Sequence, residues 1–225
     1  MNVLIFGASG MVGQGVLREC LLADDVSGVV TIGRTAIGQS HPKLGEISHQ
    51  DLYDYRAIEP QLQGFDAGFF CLGTSSSGKN EAEYKRVTFD LTLAAASILA
   101  RLNPTMTFVY VSGAGADSSE SGPVMWARVR GLTENTLRKL PFKAVYVFRP
   151  GVIQPLHGAR SKTAVYRIFY SVLRPVLPIA RAMFPKAVLS TAVIGQAMLN
   201  VARHGADKPV LEAADIYAVA TNPRQ

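Results

Sequence analysis

Short apolar runs alternate along this chain with longer stretches of helical periodicity. Val3-Leu4-Ile5-Phe6, Gly28 to Gly33, Phe65 to Leu72, Met106 to Val111 and Ala144 to Phe148 read as strands, apolar enough for burial on both faces. Glu46 to Gln50 reads as a shorter third strand, and Pro209 to Glu212 as an edge strand before a short terminal helix. The helical rhythm is clearest from Glu81 to Leu102, where Tyr84, Val87, Leu91, Ala94, Ala95, Ile98 and Leu102 recur at helical spacing and the pattern stops before Asn103-Pro104. A first helix carries Val12, Val16 and Cys20 on one stripe. Pro123 opens another that runs to about Leu140, and Val188 to Ala202 makes a further one. This alternation predicts an α/β fold, a doubly wound parallel sheet of the Rossmann type. One domain of residues 1–225 is expected, with 154–207 as a C-terminal lid or substrate subregion.

Between Ala164 and Pro185 the pattern changes. Aromatic and aliphatic residues alternate with Arg167, Arg174 and Arg181 and are broken by Pro175, Pro178 and Pro185. A membrane span needs about 18 or more nearly uninterrupted apolar residues, which these charges and prolines deny. Three readings stand: a lid of short helices over a substrate, a subunit contact, or a surface that touches lipid.

The candidate chemistry begins where the first strand meets the first helix, at Gly7-Ala8-Ser9-Gly10-Met11-Val12-Gly13. Glycines let the backbone turn tightly there, and the amino end of the helix favours a pyrophosphate lying across Gly10 and Met11. The spacing is G-x-x-G-x-x-G, and its setting between an apolar strand and an amphipathic helix points to a dinucleotide site. The second strand ends in Gly33-Arg34-Thr35, where an NAD-preferring site places an acidic residue. An arginine pairs instead with a ribose phosphate, so NADP(H) is expected before NAD(H). Asp51 and Leu52 stand at the adenine edge, or Asp51 caps the short helix near Asp54. Leu72-Gly73-Thr74 opens a small-residue loop that runs to Lys79, either a plain connection or a mobile cover over the cofactor.

Composition narrows the class. A chain of 225 residues, 48% hydrophobic and 18% charged, suffices for one large α/β domain. The net charge of +6 comes from dispersed Lys and Arg residues with no run and no recognition helix, so no nucleic-acid partner is expected. No metal site is expected either. Cys20 and Cys71 read as free buried thiols of a reducing compartment, and with no leader before the first strand the expected location is cytoplasmic.

Gly7 to Gly13, Gly33-Arg34, Cys71-Leu72-Gly73-Thr74, Val111-Ser112-Gly113 with Gly115-Ala116-Asp117, and Phe148-Arg149-Pro150-Gly151-Val152 together resemble the extended and atypical short-chain dehydrogenases/reductases, in their Tat-interacting-protein-like branch. The resemblance implies a Rossmann sheet, NADPH as cofactor, and a stretch at Pro150-Gly151 passing beneath the nicotinamide. It also implies a catalytic Tyr-x-x-x-Lys pair on the helix after strand five, assisted by Ser112 as hydrogen-bond donor to a substrate oxygen. Aligned on Gly131 and Glu134, the tyrosine position here holds Trp126 and the lysine position Arg130. An indole N–H does not titrate usefully, so Trp126 cannot pass a proton, whereas Arg130 still reaches ribose hydroxyls. Tyr110, Lys79 and His157 are substitutes to examine. Two functions follow: an oxidoreductase on a small carbonyl compound, or a non-catalytic NADP(H)-binding redox sensor or interaction module. A homodimer through the helices at Tyr84–Leu102 and Val124–Leu140 is compatible with either.

Overall fold

A computed structural model describes residues 1–159 and 177–222. Strands β1 (Asn2–Phe6), β2 (Gly28–Gly33), β3 (Leu44–Ser48), β4 (Ala67–Phe70), β5 (Thr107–Val111), β6 (Ala144–Arg149) and β9 (Val210–Glu212) form a seven-stranded sheet in the order β3-β2-β1-β4-β5-β6-β9. Every neighbouring pair is parallel. The order reverses at β1, between β2 and β4, which is where such sheets open a crevice at the carboxyl ends of their strands.

The apolar runs are strands because both faces of the sheet are covered. Val3 and Ile5 point into one core with α1 (Met11–Leu22), while Leu4 and Phe6 point into the other with α3 (Leu91–Leu102). On that second side Phe6 stacks on Phe70 with ring centroids 5.3 Å apart, and Phe70 meets Tyr110 at 6.0 Å. The long helical pattern from Glu81 is α2 (Glu81–Lys85), a π-helical turn (Arg86–Asp90) and then α3. Asn80 starts it with a reciprocal capping box to Glu83. The next helix, α4 (Met125–Leu137), begins two residues beyond Pro123, with Val124 at its cap.

The described part of the C-terminal third adds a second, smaller sheet. Val152–Gln154 (β7) and Val188–Ser190 (β8) pair in a small second sheet, so Val188 opens a strand and not a helix. A short helix, α5 (Leu177–Met183), precedes β8, with Ile179, Met183 and Phe184 exposed around it. Helix α6 (Thr191–His204) lies against α1, and α7 (Ala213–Thr221) packs on α6. Part of the segment 154–207 is therefore a structural layer behind the sheet. The contact between α1 and α6 is backbone-close: a Cβ on Gly15 would sit 2.6 Å from Thr191 O, and one on Gly195 would sit 2.8 Å from Glu19 Cγ. Most of the Arg/aromatic stretch 164–185 falls outside the described residues. No helix among the described residues is long and apolar enough to cross a membrane.

Candidate functional site

Gly7 takes φ +79°, and a Cβ there would stand 2.8 Å from Cys71 C and Leu72 N, so β1 and the end of β4 meet through bare backbone. The Gly10 N–H donates to Gly7 O at 2.9 Å and closes the turn. Gly10 then caps α1 with extended backbone and no side-chain hydrogen bond, and the first turn of α1 carries no acidic residue. Its leading N–H groups are left for an anion.

This turn forms the middle of a cleft of about 940 Å³. Gly7, Ser9, Gly10, Met11 and Val12 line it at the centre, Arg34, Asp51 and Leu52 at the β2–β3 end, and Leu72, Gly73, Thr74, Ser112, Arg130, Pro150 and Gly151 towards β4, β5 and β6. Gly13 does not line it, which corrects its reading as a cofactor contact. A Cβ on Gly13 would be 2.1 Å from Gly7 O, so this glycine lets the helix approach the strand. Arg34 is exposed at the end of β2 and has no carboxylate partner among the described residues. Asp51 lines the cleft and accepts from Tyr53 N–H at 2.9 Å, holding a turn; the short 3₁₀ helix begins later, at Arg56.

At the other end two side chains differ from expectation. Trp126 does not line the cleft: its ring edge lies against the Gly113–Gly122 loop, with Cη2 3.3 Å from where a Gly115 Cβ would be. The side chain expected to stand in for a catalytic tyrosine is therefore turned to the loop. Ser112 lines the cleft, but its hydroxyl donates to Glu134 Oε1 at 2.5 Å, so the proton expected for a substrate oxygen is already engaged. Glu134 is 1% exposed. The Arg149 guanidinium donates to both its oxygens, and Arg149 also reaches Ser118 Oγ at 2.7 Å and Glu212 Oε1 at 3.2 Å.

Glu134 is the functional residue that sequence reasoning missed, serving there only as an alignment marker. The signal was an acid on the apolar side of a helix, one turn beyond a cleft cation. That cation, Arg130, donates from Nε to Tyr84 Oη at 3.0 Å and lies beside Gly113.

The three suggested substitutes lie elsewhere. Tyr110 is buried, its phenol pushed up to about 12 by burial. Lys79 donates back to Ser75 O at 3.0 Å within its own loop. His157 adjoins a separate cavity of about 520 Å³ behind the glycine turn.

Cys71 lines the cleft, and the protein packed around it pushes its thiol up to about 12. The thiolate is the reactive form, so at pH 8 iodoacetamide is expected to modify Cys71 at least about tenfold more slowly in folded protein than after unfolding in urea. Mass spectrometry of the Cys71 peptide over time measures this, and equal rates would contradict the enclosure.

A seven-stranded parallel sheet with this cleft at its reversal point defines a Rossmann-type fold, in which ligands bind at the carboxyl ends of the strands. No family model matches the chain. It is 34% identical over 155 residues to protein HTATIP2 of Rattus norvegicus, covering 68% of this chain and 62% of the rat protein, so the match spans less than two thirds of that relative's length. It is 30% identical over 183 residues to the mitochondrial protein fmp52 of Emericella nidulans, covering 78% of this chain and 77% of the fungal one. Among solved structures, a short-chain dehydrogenase/reductase from Saccharomyces cerevisiae superposes with TM-score 0.68 at 14% identity, over 100% of this chain and 99% of the other. The Bordetella bronchiseptica enzyme WbmF, solved in complex with NAD+, gives 0.64 at 16% identity, over 100% and 79%.

The chain belongs to the atypical short-chain dehydrogenase/reductase family, in its Tat-interacting-protein-like branch. The cytoplasmic expectation is overturned, because the fungal relatives are designated mitochondrial. Free thiols suit any reducing compartment, so Cys20 and Cys71 do not choose among them.

Proposed function

We propose that the protein is an NADP(H)-dependent oxidoreductase acting on a small substrate at the Ser112–Arg130 end of the cleft. The observation that carries the cofactor choice is Arg34: an unpaired guanidinium at the end of β2, opening into the cleft where the adenine ribose of a dinucleotide lies. The residues fit the group. Gly7 brings the backbone close, the leading amides of α1 at Met11 and Val12 are there for its phosphates, and Leu52 and Pro150 offer apolar walls at its two ends. Bound there, the cofactor supplies hydride exchange. The protein's own residues anchor the phosphates, exclude water from the cleft floor and hold a substrate oxygen near Ser112.

Equilibrium dialysis at low ionic strength tests this. NADPH is expected to bind more tightly than NADH, and Arg34→Ala to weaken NADPH about 10–100-fold while leaving NADH little changed, the loss of one charge-assisted bidentate contact. Equal affinity in the parent would remove the claim for Arg34, and uptake of neither would remove the function. A second reading is favoured by Trp126, which leaves the cleft without the family's proton donor: a dinucleotide-binding redox sensor that turns nothing over. A carbonyl screen with no NADPH oxidation beside tight NADPH binding would select it.

A further inference from the structure

The chain's excess positive charge and its most exposed apolar side chains fall in the same stretch. No acidic residue stands between Glu134 and Asp207 in the sequence. Between Gly151 and Ala202 that stretch holds Arg160, Lys162, Arg167, Arg174, Arg181 and Lys186, which accounts for the whole net charge of +6 and leaves the rest of the chain balanced. Such an asymmetry bears on partners and not on fold.

Within this stretch α5 buries Leu177 and turns Ile179 and Met183 outward, at 62% and 66% exposure, with Phe184 at 59% just beyond its end. Ile179 and Met183 stand one turn apart and share a face. Val152 is exposed too, in β7, against which α5 lies. Leaving large apolar side chains in water forgoes the gain of burying them. None of the three around α5 lines the cleft or the cavity behind the glycine turn. Arg181, half-buried, lies between them in sequence and Lys186, exposed, follows them. Neither cation has an ion-pair partner among the described residues.

The charge decides what meets this face. A second copy related by a two-fold axis would set Arg181 and Lys186 against their own equivalents. A fluid anionic phase takes up protruding apolar side chains without a shaped pocket, and its phosphates pair with cations held at its surface. We propose that α5 docks on an anionic lipid membrane, with Ile179, Met183 and Phe184 entering the acyl boundary and Arg181 and Lys186 at the headgroups. Long basic side chains suit that level because the stem lies along apolar surface while the charge stays outside. The docked face adjoins the cleft. Gly151 lines the cleft at its β6 end, and Ala187 O lies 3.7 Å from where a Gly151 Cβ would be. Nothing in this proposal depends on the cofactor reading.

Flotation of the full chain with vesicles tests it. Vesicles of equal parts phosphatidylglycerol and phosphatidylcholine are expected to retain the protein at low ionic strength, and phosphatidylcholine alone at least about tenfold less. Added salt should weaken retention. Met183→Gln with Phe184→Gln should lower it at least about tenfold, and so should Arg181→Gln with Lys186→Gln. Arg138→Gln with Lys139→Gln removes the same charge from two exposed residues at the end of α4 and should leave it little changed. Thermal unfolding shows that each variant is folded.

Entry of the side chains is read separately. In Phe184→Trp, brominated phosphatidylcholine in the anionic vesicles should quench emission more than in the parent, whose single tryptophan, Trp126, packs on the Gly113–Gly122 loop. No retention by anionic vesicles would leave the face to a protein partner and overturn the proposal. Retention unchanged by Met183→Gln with Phe184→Gln, equal losses from the two cation pairs, or no added quenching would overturn it as well. So would sedimentation without lipid that finds the parent dimeric and Met183→Gln with Phe184→Gln monomeric, since the face would then belong to a second copy.

Discussion

Replacing Glu134 with alanine is expected to destabilise the protein by about 3 kcal/mol, within the range of about 3–5 kcal/mol for breaking one side of a buried ion pair. Glu134 is 1% exposed and holds Ser112 and Arg149 together across α4, β5 and β6. Its removal leaves a guanidinium at 9% residue exposure with Glu212 and Ser118 alone, and those remaining contacts place the loss at the low end. Urea unfolding by circular dichroism measures it. Adding Arg149→Met should recover part of the loss, because the penalty comes from a charge left without its partner. A single-variant loss under about 1 kcal/mol would show the pair to be solvated.

Gly13→Ala should be at least as damaging, for a steric reason. The new methyl group would have to occupy space 2.1 Å from Gly7 O and 2.9 Å from Ala8 Cα, both backbone atoms that no rotamer change can clear. Helix α1 must then move away from β1, opening the packing of Val16 and Cys20 beneath it. A loss of about 3 kcal/mol or more is expected, with dinucleotide uptake lost in the same step. Gly10→Ala is the control. Its Cβ would meet Gly7 O at 3.3 Å, a contact that a shift of a few tenths of an ångström relieves. Similar urea midpoints for the two variants would mean that strand and helix are not held this closely.

The strands were legible because burial on both faces leaves an uninterrupted apolar record, as in Val3 to Phe6. The glycine turn was legible for a related reason, since it closes within its own few residues. What escaped depends on approach between distant segments. Strands β7 and β8 are three residues each, too short to show a period, and exist because they pair with each other across 33 intervening residues. Gly13 looks like any motif glycine until the distance to Gly7 O is known. Ser112 is at the expected position, yet the direction of its hydrogen is decided by Glu134, 22 residues away. Trp126 shows the limit of reading a site from residue order alone: it was expected at the cleft, while its ring packs on the Gly113–Gly122 loop.

The glycine-lined crossing of α1 with α6 has a mechanical meaning. Gln196 donates to Glu19 in α1, and Arg203 is paired with Asp25 just beyond its end, so the last third of the protein holds the helix that follows the glycine turn. The glycine turn is braced from behind by residues encoded about 180 positions later. On the cofactor reading proposed above, damage beyond residue 190 is expected to weaken uptake of a ligand that this part of the chain does not line.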